Sequence, residues 1–280
     1  MLISPHQYYR LTGIKSRKLL GQHFLTQPDT AMRIVESAQI RDSEVVMEVG
    51  PGLGALTQFL LSKKCALHLV ELDRDLVSFL RKALSDRSEE VQIHEMDVLR
   101  FDFSGLAEAV GQPLVVVGNL PYSISSPLVF CLLEAHGKLA RAVFMVQKEV
   151  GLRLAADPGT KDYGVLSVLL GIYAQTKLLF SVGPGQFFPR PKVDSVVVRM
   201  DFMERDLAEE LPFSFLRDLV GAAFQQRRKT IRNSLRSFAA RCGMRIEDVL
   251  SSADIDSERR PETLSPQDYV RIGKILEKSR

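Results

Sequence analysis

The sequence predicts an α/β chain: a doubly wound, mostly parallel sheet with an antiparallel terminal hairpin, followed by a small all-helical domain. Three observations predict it. Short β-branched runs alternate with helical stretches from residue 44 to residue 147. Two later strands, Lys177–Val182 and Ser195–Phe202, are joined by the Gly/Pro-rich GPGQFFPRPKVD with no helix between them, so they should pair antiparallel. Beyond Phe202 the composition shifts, and everything from Phe213 onward is helical in pattern.

Taken in order, the predicted strands of the first part are Glu44–Val49, Leu67–Leu72, Val91–Met96, Leu114–Val117 and Ala142–Gln147. Each is largely apolar and ends in a polar residue or glycine. Between them, Ala55–Lys63 and Asp75–Ser85 space their apolar residues by three and four, as helices do. MERDLAEELP reads as a linker. In the tail, Val220, Phe224, Ile231, Leu235 and Phe238 form an apolar side, with Arg228, Arg232 and Arg236 stepping by four on another face. The expected domains are residues 1–203, including a basic arm over 1–25, and residues 204–280.

Composition narrows the function. No segment approaches the roughly 18–20 uninterrupted apolar residues a membrane span needs. The N-terminus lacks a hydrophobic signal core, so no membrane partner and a cytoplasmic location are expected. Three widely spaced cysteines, Cys65, Cys131 and Cys242, give neither a disulfide framework nor a zinc motif, and no metal is expected. The net charge is only +3, but its distribution is uneven. Residues 217–245 carry eight Lys/Arg against the single acid Asp218, and residues 10–18 carry four against none. Two basic segments on a near-neutral chain suit a polyanion better than a small metabolite.

In an open parallel sheet, ligands bind beyond the carboxyl ends of the strands, where the chain order reverses. The first strand is followed by EVGPGLGAL, whose Gly50, Gly52 and Gly54 permit a tight turn and close approach of backbone to ligand. The spacing is not that of the dinucleotide fingerprint, which argues against a nicotinamide enzyme. Glu71 ends the second strand, where a carboxylate can accept from ribose hydroxyls; the plainer reading pairs it with Arg74. Asp97 follows the third strand, placed to accept from an adenine amino group or simply to cap a turn. The fourth strand leads into Asn119-Leu120-Pro121-Tyr122. An amine conjugated to a purine is a poor nucleophile, and acceptors on both its N–H groups would aim its lone pair. The Asn119 side-chain oxygen and the Leu120 carbonyl can be those acceptors, Pro121 stiffens the turn, and Tyr122 offers a ring for stacking.

With these motifs the chain resembles the ribosomal RNA adenine dimethyltransferases, in particular the bacterial enzymes of the small subunit. The stretches that carry the resemblance are GQHFL at 21–25, EVGPGLGALT, ELD at 71–73, MD at 96–97, VVGNLPYSIS, MVQKEVGLRLAADPGTKDYGVLSV, FFPRPKVDSVVV and FQQRRKTIRNSL. The resemblance implies a Rossmann-like class I methyltransferase sheet and S-adenosylmethionine as cofactor. It implies N6,N6-dimethylation of two adjacent adenosines in the 3′-terminal hairpin of 16S rRNA, within the 30S subunit, by an enzyme expected to act as a monomer. Leu25, Gly50, Glu71, Asp97 and Asn119 match cofactor positions. His23 stands where the family has Asn and is carried as a cofactor-shell candidate. Phe187 matches an aromatic that faces the target base opposite Tyr122. Arg227, Arg228, Lys229 and Arg232 are expected to contact rRNA phosphates. The alternatives are a resistance-type methyltransferase of large-subunit rRNA and a ribosome-assembly docking factor.

Overall fold

The computed structural model describes residues 2–13, 21–203, 207–208 and 211–278. Lys15, Arg17 and Lys18 of the basic arm, and much of the predicted linker, lie outside the described residues. After helix α1 (Pro5–Thr12), short strand β1 (Phe24–Leu25) and helix α2 (Pro28–Ser37), the chain alternates strands and helices. These are β2 (Val45–Val49), α3 (Thr57–Leu60), β3 (Ala66–Glu71), α4 (Arg74–Ala83), β4 (Val91–Glu95), α5 (Phe103–Val110), β5 (Leu114–Asn119), α6 (Ser125–Glu134), β6 (Leu139–Gln147) and α7 (Lys148–Leu154). There follow α8 (Val165–Tyr173), β7 (Ala174–Val182), β8 (Phe187–Phe188) and β9 (Ser195–Phe202). The tail holds α9 (Phe213–Phe224), α10 (Ile231–Arg241), α11 (Ile246–Ser252) and α12 (Pro266–Glu277).

Seven strands form one sheet in the order β4-β3-β2-β5-β6-β9-β7. The pairs β4/β3, β3/β2, β2/β5 and β5/β6 are parallel, and β9 runs antiparallel to β6 with Ser195 opposite Gln147. All five residues of β2 are buried, as expected of a parallel strand covered on both faces. One face packs Ile34 and Val35 of α2 against Val46, Leu69, Val115, Val117 and Val143. Gly118 permits the close approach of β5 to β2 near the carboxyl edge: a Cβ there would lie 2.7 Å from the Val49 carbonyl oxygen. The predicted strands all form. The predicted helix 55–63 shrinks to α3 because the glycine-rich turn occupies its first residues.

At the opposite edge of the sheet, two arginines cap the carboxyl end of α2. Arg141 donates to the carbonyls of Ala38 and Gln39 and, through both terminal nitrogens, to the Glu44 carboxylate. Arg199 donates to the Ser37 carbonyl and grips Asp201. Cationic groups suit helix carboxyl ends, where carbonyls are left without intrahelical partners.

The chain divides into two compact units, residues 1–151 with 177–202, and residues 152–176 with 203–280. The sequence reading placed 152–176 with the sheet; they pack instead with the helical tail. The reason is α8, VLSVLLGIY, which is apolar nearly all round and buried at seven positions. Just before it, the Tyr163 hydroxyl donates to the Leu264 carbonyl at 2.9 Å.

A second correction concerns the arginine face. The tail does not run as one helix from 213: it breaks over 225–230, where the Thr230 hydroxyl accepts from the Asn233 N–H and starts α10 afresh. Arg227, Arg228 and Lys229 therefore sit in a turn, and Arg228 does not share a helix face with Arg232 and Arg236. Among the described residues no helix is long and apolar enough to cross a membrane.

Candidate active site

The strand order lines up the four predicted strand-end groups along one edge. Asp97 follows β4, Glu71 ends β3, Gly50 follows β2 and Asn119 ends β5, with the order of strands across the sheet reversing between β2 and β5. All four line one cavity of about 250 Å³, together with His23, Leu25, Leu120, Pro121 and Tyr122. Gly50 adopts φ +65°, a left-handed conformation that a side chain would strain, and its N–H donates to the Val70 carbonyl at 3.0 Å.

Glu71 does not pair with Arg74, which reaches Glu95 instead at 3.3 Å. Its carboxylate is held by backbone: Oε1 accepts from the N–H groups of Leu72 (2.9 Å) and Asp73 (3.0 Å), and Oε2 from Gly52 (3.2 Å). Each carboxylate oxygen offers about two acceptor sites, so Oε2 is the oxygen with room for a ligand hydroxyl. Burial raises the Glu71 pKa against the pull of those three donors. Asp97 caps a turn, its Oδ1 accepting from the Leu99 N–H at 3.0 Å, and it also lines the cavity. These groups fit an adenosine-bearing cofactor: a rigid acceptor able to take ribose hydroxyls, a second carboxylate beyond it, and the exposed apolar side chain of Leu72 in the same cavity wall.

Asn119 is fixed by its amide nitrogen, which donates to the His23 carbonyl at 3.0 Å. With its nitrogen engaged, the amide presents its oxygen as the free acceptor. The His23 ring has a separate task. Its Nδ1 lies 2.7 Å from the Pro189 carbonyl, which can only accept, so Nδ1 carries the hydrogen. The ring stacks on Tyr122 at 5.6 Å and 29°. The Tyr122 hydroxyl lies 3.0 Å from the buried Ser195 hydroxyl, so the PKVDS motif anchors the NLPY tyrosine. Tyr122→Phe and Ser195→Ala are each expected to cost about 1 kcal/mol in urea denaturation. The double variant should cost no more than the larger single change; full additivity would mean the bond contributes nothing.

Phe187 is not among the residues lining this cavity; it is buried in the sheet core and pairs with Leu25 across the small β1/β8 ladder. Its neighbour Phe188 faces away, against His6 at 4.3 Å and Tyr9. Tyr122 is thus the aromatic ring of the cavity that comes from the predicted set. Glu48, by contrast, was not foreseen. It lines the cavity, accepts from the Thr57 hydroxyl at 2.6 Å, and burial, with the nearby Glu71 charge, raises its pKa to about 8. At neutral pH it is mostly a protonated acid able to donate. Its signal was an acid inside the otherwise apolar run VVMEV.

In the helical unit the four predicted RNA-contact residues differ. Arg227 pairs with Glu262 at 3.1 Å and Arg232 with Glu258 at 3.0 Å. Arg228 and Lys229 are exposed, with no ion pair among the described residues.

Comparison with known proteins gives one answer. The family model for ribosomal RNA adenine dimethylase matches residues 13–278. The chain is 43% identical over 264 residues to the ribosomal RNA small subunit methyltransferase A of Alcanivorax borkumensis, covering 93% of this chain and 90% of that protein. Among solved structures, a dimethyladenosine transferase from Plasmodium falciparum superposes with TM-score 0.79 at 26% identity, covering 92% of this chain and 98% of the other. The 23S rRNA methyltransferase ErmE gives 0.70 at 27%, over 91% and 99%. The match runs through both units and every motif of the cavity, and the chain belongs to the ribosomal RNA adenine dimethylase family, enzymes that use S-adenosylmethionine.

Proposed function

We propose that this enzyme dimethylates N6 of two adjacent adenosines in the 3′-terminal hairpin of 16S rRNA, on the 30S subunit, as a late cytoplasmic step of ribosome biogenesis, and acts as a monomer. The observation that carries the chemistry is the Asn119 amide, tied back through its nitrogen so that its oxygen is left to accept. The small-subunit target is supported by the name of the relatives that match over nearly their full length.

S-adenosylmethionine, when bound, supplies an electrophilic methyl group on a sulfonium. Leu25, Gly50, Glu71 and Asp97 would hold it, with the His23 backbone bracing Asn119. The Asn119 oxygen and the Leu120 carbonyl accept from the two N–H groups of the adenine amine, turning its lone pair toward the methyl carbon. Tyr122 stacks on the base, and its ring tolerates nearby positive charge. The bond gained at nitrogen would be balanced by the one lost at sulfur, the cofactor leaving as its neutral thioether. The methylated nitrogen is then a strongly acidic ammonium and loses its proton to water, so no general base is required before attack. Alignment and desolvation carry the rate. Arg228 and Lys229, free of carboxylates, are the tail cations best placed for phosphate.

Labelled cofactor offered to unmethylated 30S subunits and to 23S rRNA tests the reading. Dimethyladenosine in the 16S rRNA alone is the expected result. Label confined to 23S rRNA would give the resistance-type enzyme, and tight 30S binding without label would give a docking factor.

A further inference from the structure

The helical unit carries a second cavity that the methyl-transfer reading leaves unused. It is a polar groove of about 520 Å³ between α9 and α10. Arg217 and Gly221 of α9 and Gln225 at its C-cap line one side, and Asn233, Ser237 and Arg241 of α10 the other. Both sets step by four residues, one stripe along each helix. Because a short turn joins the two helices, they run as antiparallel neighbours. Gln225 and Asn233 then lie at the turn, next to Arg228 and Lys229, and Arg217 and Arg241 lie together at the far end. Eight residues of helix separate the two ends, about 12 Å at 1.5 Å per residue.

The charges of this groove differ from those around it. Several other arginines of the tail are met by carboxylates: Arg227 by Glu262, Arg232 by Glu258, and both Arg259 and Arg271 by Asp268. Arg241 has no carboxylate among the described residues and rests over the Phe238 ring at 5.1 Å. Arg217 has only its chain neighbour Asp218, at 3.2 Å, and both are half exposed, so that pair holds little. The side chains of Gln225, Gln226, Asn233 and Ser237 make no hydrogen bond to described residues. The one aromatic, Phe238, is 6% exposed, so the groove offers no apolar anchor of the kind a protein partner uses. Two arginines against one lining carboxylate, Asp218, leave its surface donor-rich with one net positive charge, which suits phosphate and ribose oxygens.

We propose that the α9/α10 groove is a second RNA-binding site, which holds the sugar-phosphate backbone of a strand leading away from Arg228 and Lys229. Arg217 and Arg241 bind its phosphates, and Gln225, Asn233 and Ser237 meet its ribose hydroxyls and base edges. The proposal rests on the reading that RNA is the substrate.

The test uses the full-length chain and a fluorescent single-stranded RNA of roughly 12 nucleotides, within the usual range of single-strand sites. Binding is titrated over a range of salt concentrations for wild type and for R217Q/R241Q. The double variant is expected to bind about tenfold more weakly at 0.1 M salt. Its log–log salt slope should be shallower by about 1.4, from two contacts at about 0.7 each. R217K/R241K, which keeps the charge, should recover much of the affinity. Unchanged affinity and slope in R217Q/R241Q would overturn the proposal, as would displacement of the RNA by polyglutamate from wild type and double variant alike. Wild type that binds RNA through the groove yet labels no 30S subunit would sink the 16S reading and leave the groove standing.

Discussion

Asn119→Ala is expected to lower kcat for methyl transfer by about 10²–10³-fold, the usual loss when one preorganised polar contact to the reacting group is removed. The substitution deletes two things at once. The amide oxygen is the proposed acceptor for one N–H of the target amine, and the amide nitrogen is the donor to the His23 carbonyl. Asn119→Asp separates them, because it keeps an acceptor but turns the His23 contact into a repulsion between two acceptors. The expected order of rates is therefore Asn, then Asp, then Ala, with RNA affinity nearly constant across the three. Single-turnover transfer to 30S subunits, with cofactor affinity measured in parallel, checks it. A loss below tenfold in Asn119→Ala would remove the side chain from the alignment of the amine.

The cavity itself was legible because a parallel sheet converts chain order into spatial order. Gly50, Glu71, Asp97 and Asn119 each follow or end a strand, and the doubly wound order brings those ends side by side. What was not legible depended on contacts distant in sequence. Phe187 and Phe188 alternate across β8, and which one faces inward is set by the register Leu25 opposite Phe187, between residues 162 positions apart. Resemblance to a family supplies the position of Phe187 but not the direction of its ring. The arginine face failed for a local reason that the sequence did contain. Thr230, three residues before Asn233, is a helix-start signal, and it resets the phase of every residue after it. Adjacency along the chain places helix α8 with the sheet, whereas its all-round apolar surface calls for partners on every side. In the sequence, Ser195 is one residue of the PKVDS motif and has no role that its neighbours reveal. Its role emerges only when β9 inserts beside β6 and brings its hydroxyl to Tyr122.

Arg141→Met is expected to destabilise the sheet unit by about 3–5 kcal/mol, the cost of removing one partner from a buried ion pair. The side chains of Arg141 and Glu44 are only 7% and 14% exposed. The loss also leaves the carbonyls of Ala38 and Gln39 without their donor at the end of α2. The pH dependence gives the effect a signature. Burial pushes the Glu44 pKa up, but the Arg141 guanidinium and the Arg41 N–H and charge together outweigh it and hold the carboxyl below its usual range. A carboxyl depressed by folding stabilises at pH above its unfolded value, about 4.3, and that contribution is lost as pH falls through the folded value. In Arg141→Met, only Arg41 still opposes burial, through its N–H at 2.7 Å and its charge, so the Glu44 pKa rises relative to wild type and the variant gains less stability as pH climbs through the same range. The difference between wild type and variant should be greatest near neutrality and shrink towards about pH 4. Glu44→Gln should flatten the acid limb of the wild type, and Arg141→Met/Glu44→Gln should be more stable than Arg141→Met alone, since it no longer buries an unpaired carboxylate. Urea midpoints for the four proteins at both pH values measure this. A stability gap that stays constant with pH would assign the loss to the helix carbonyls and remove Glu44 from the account.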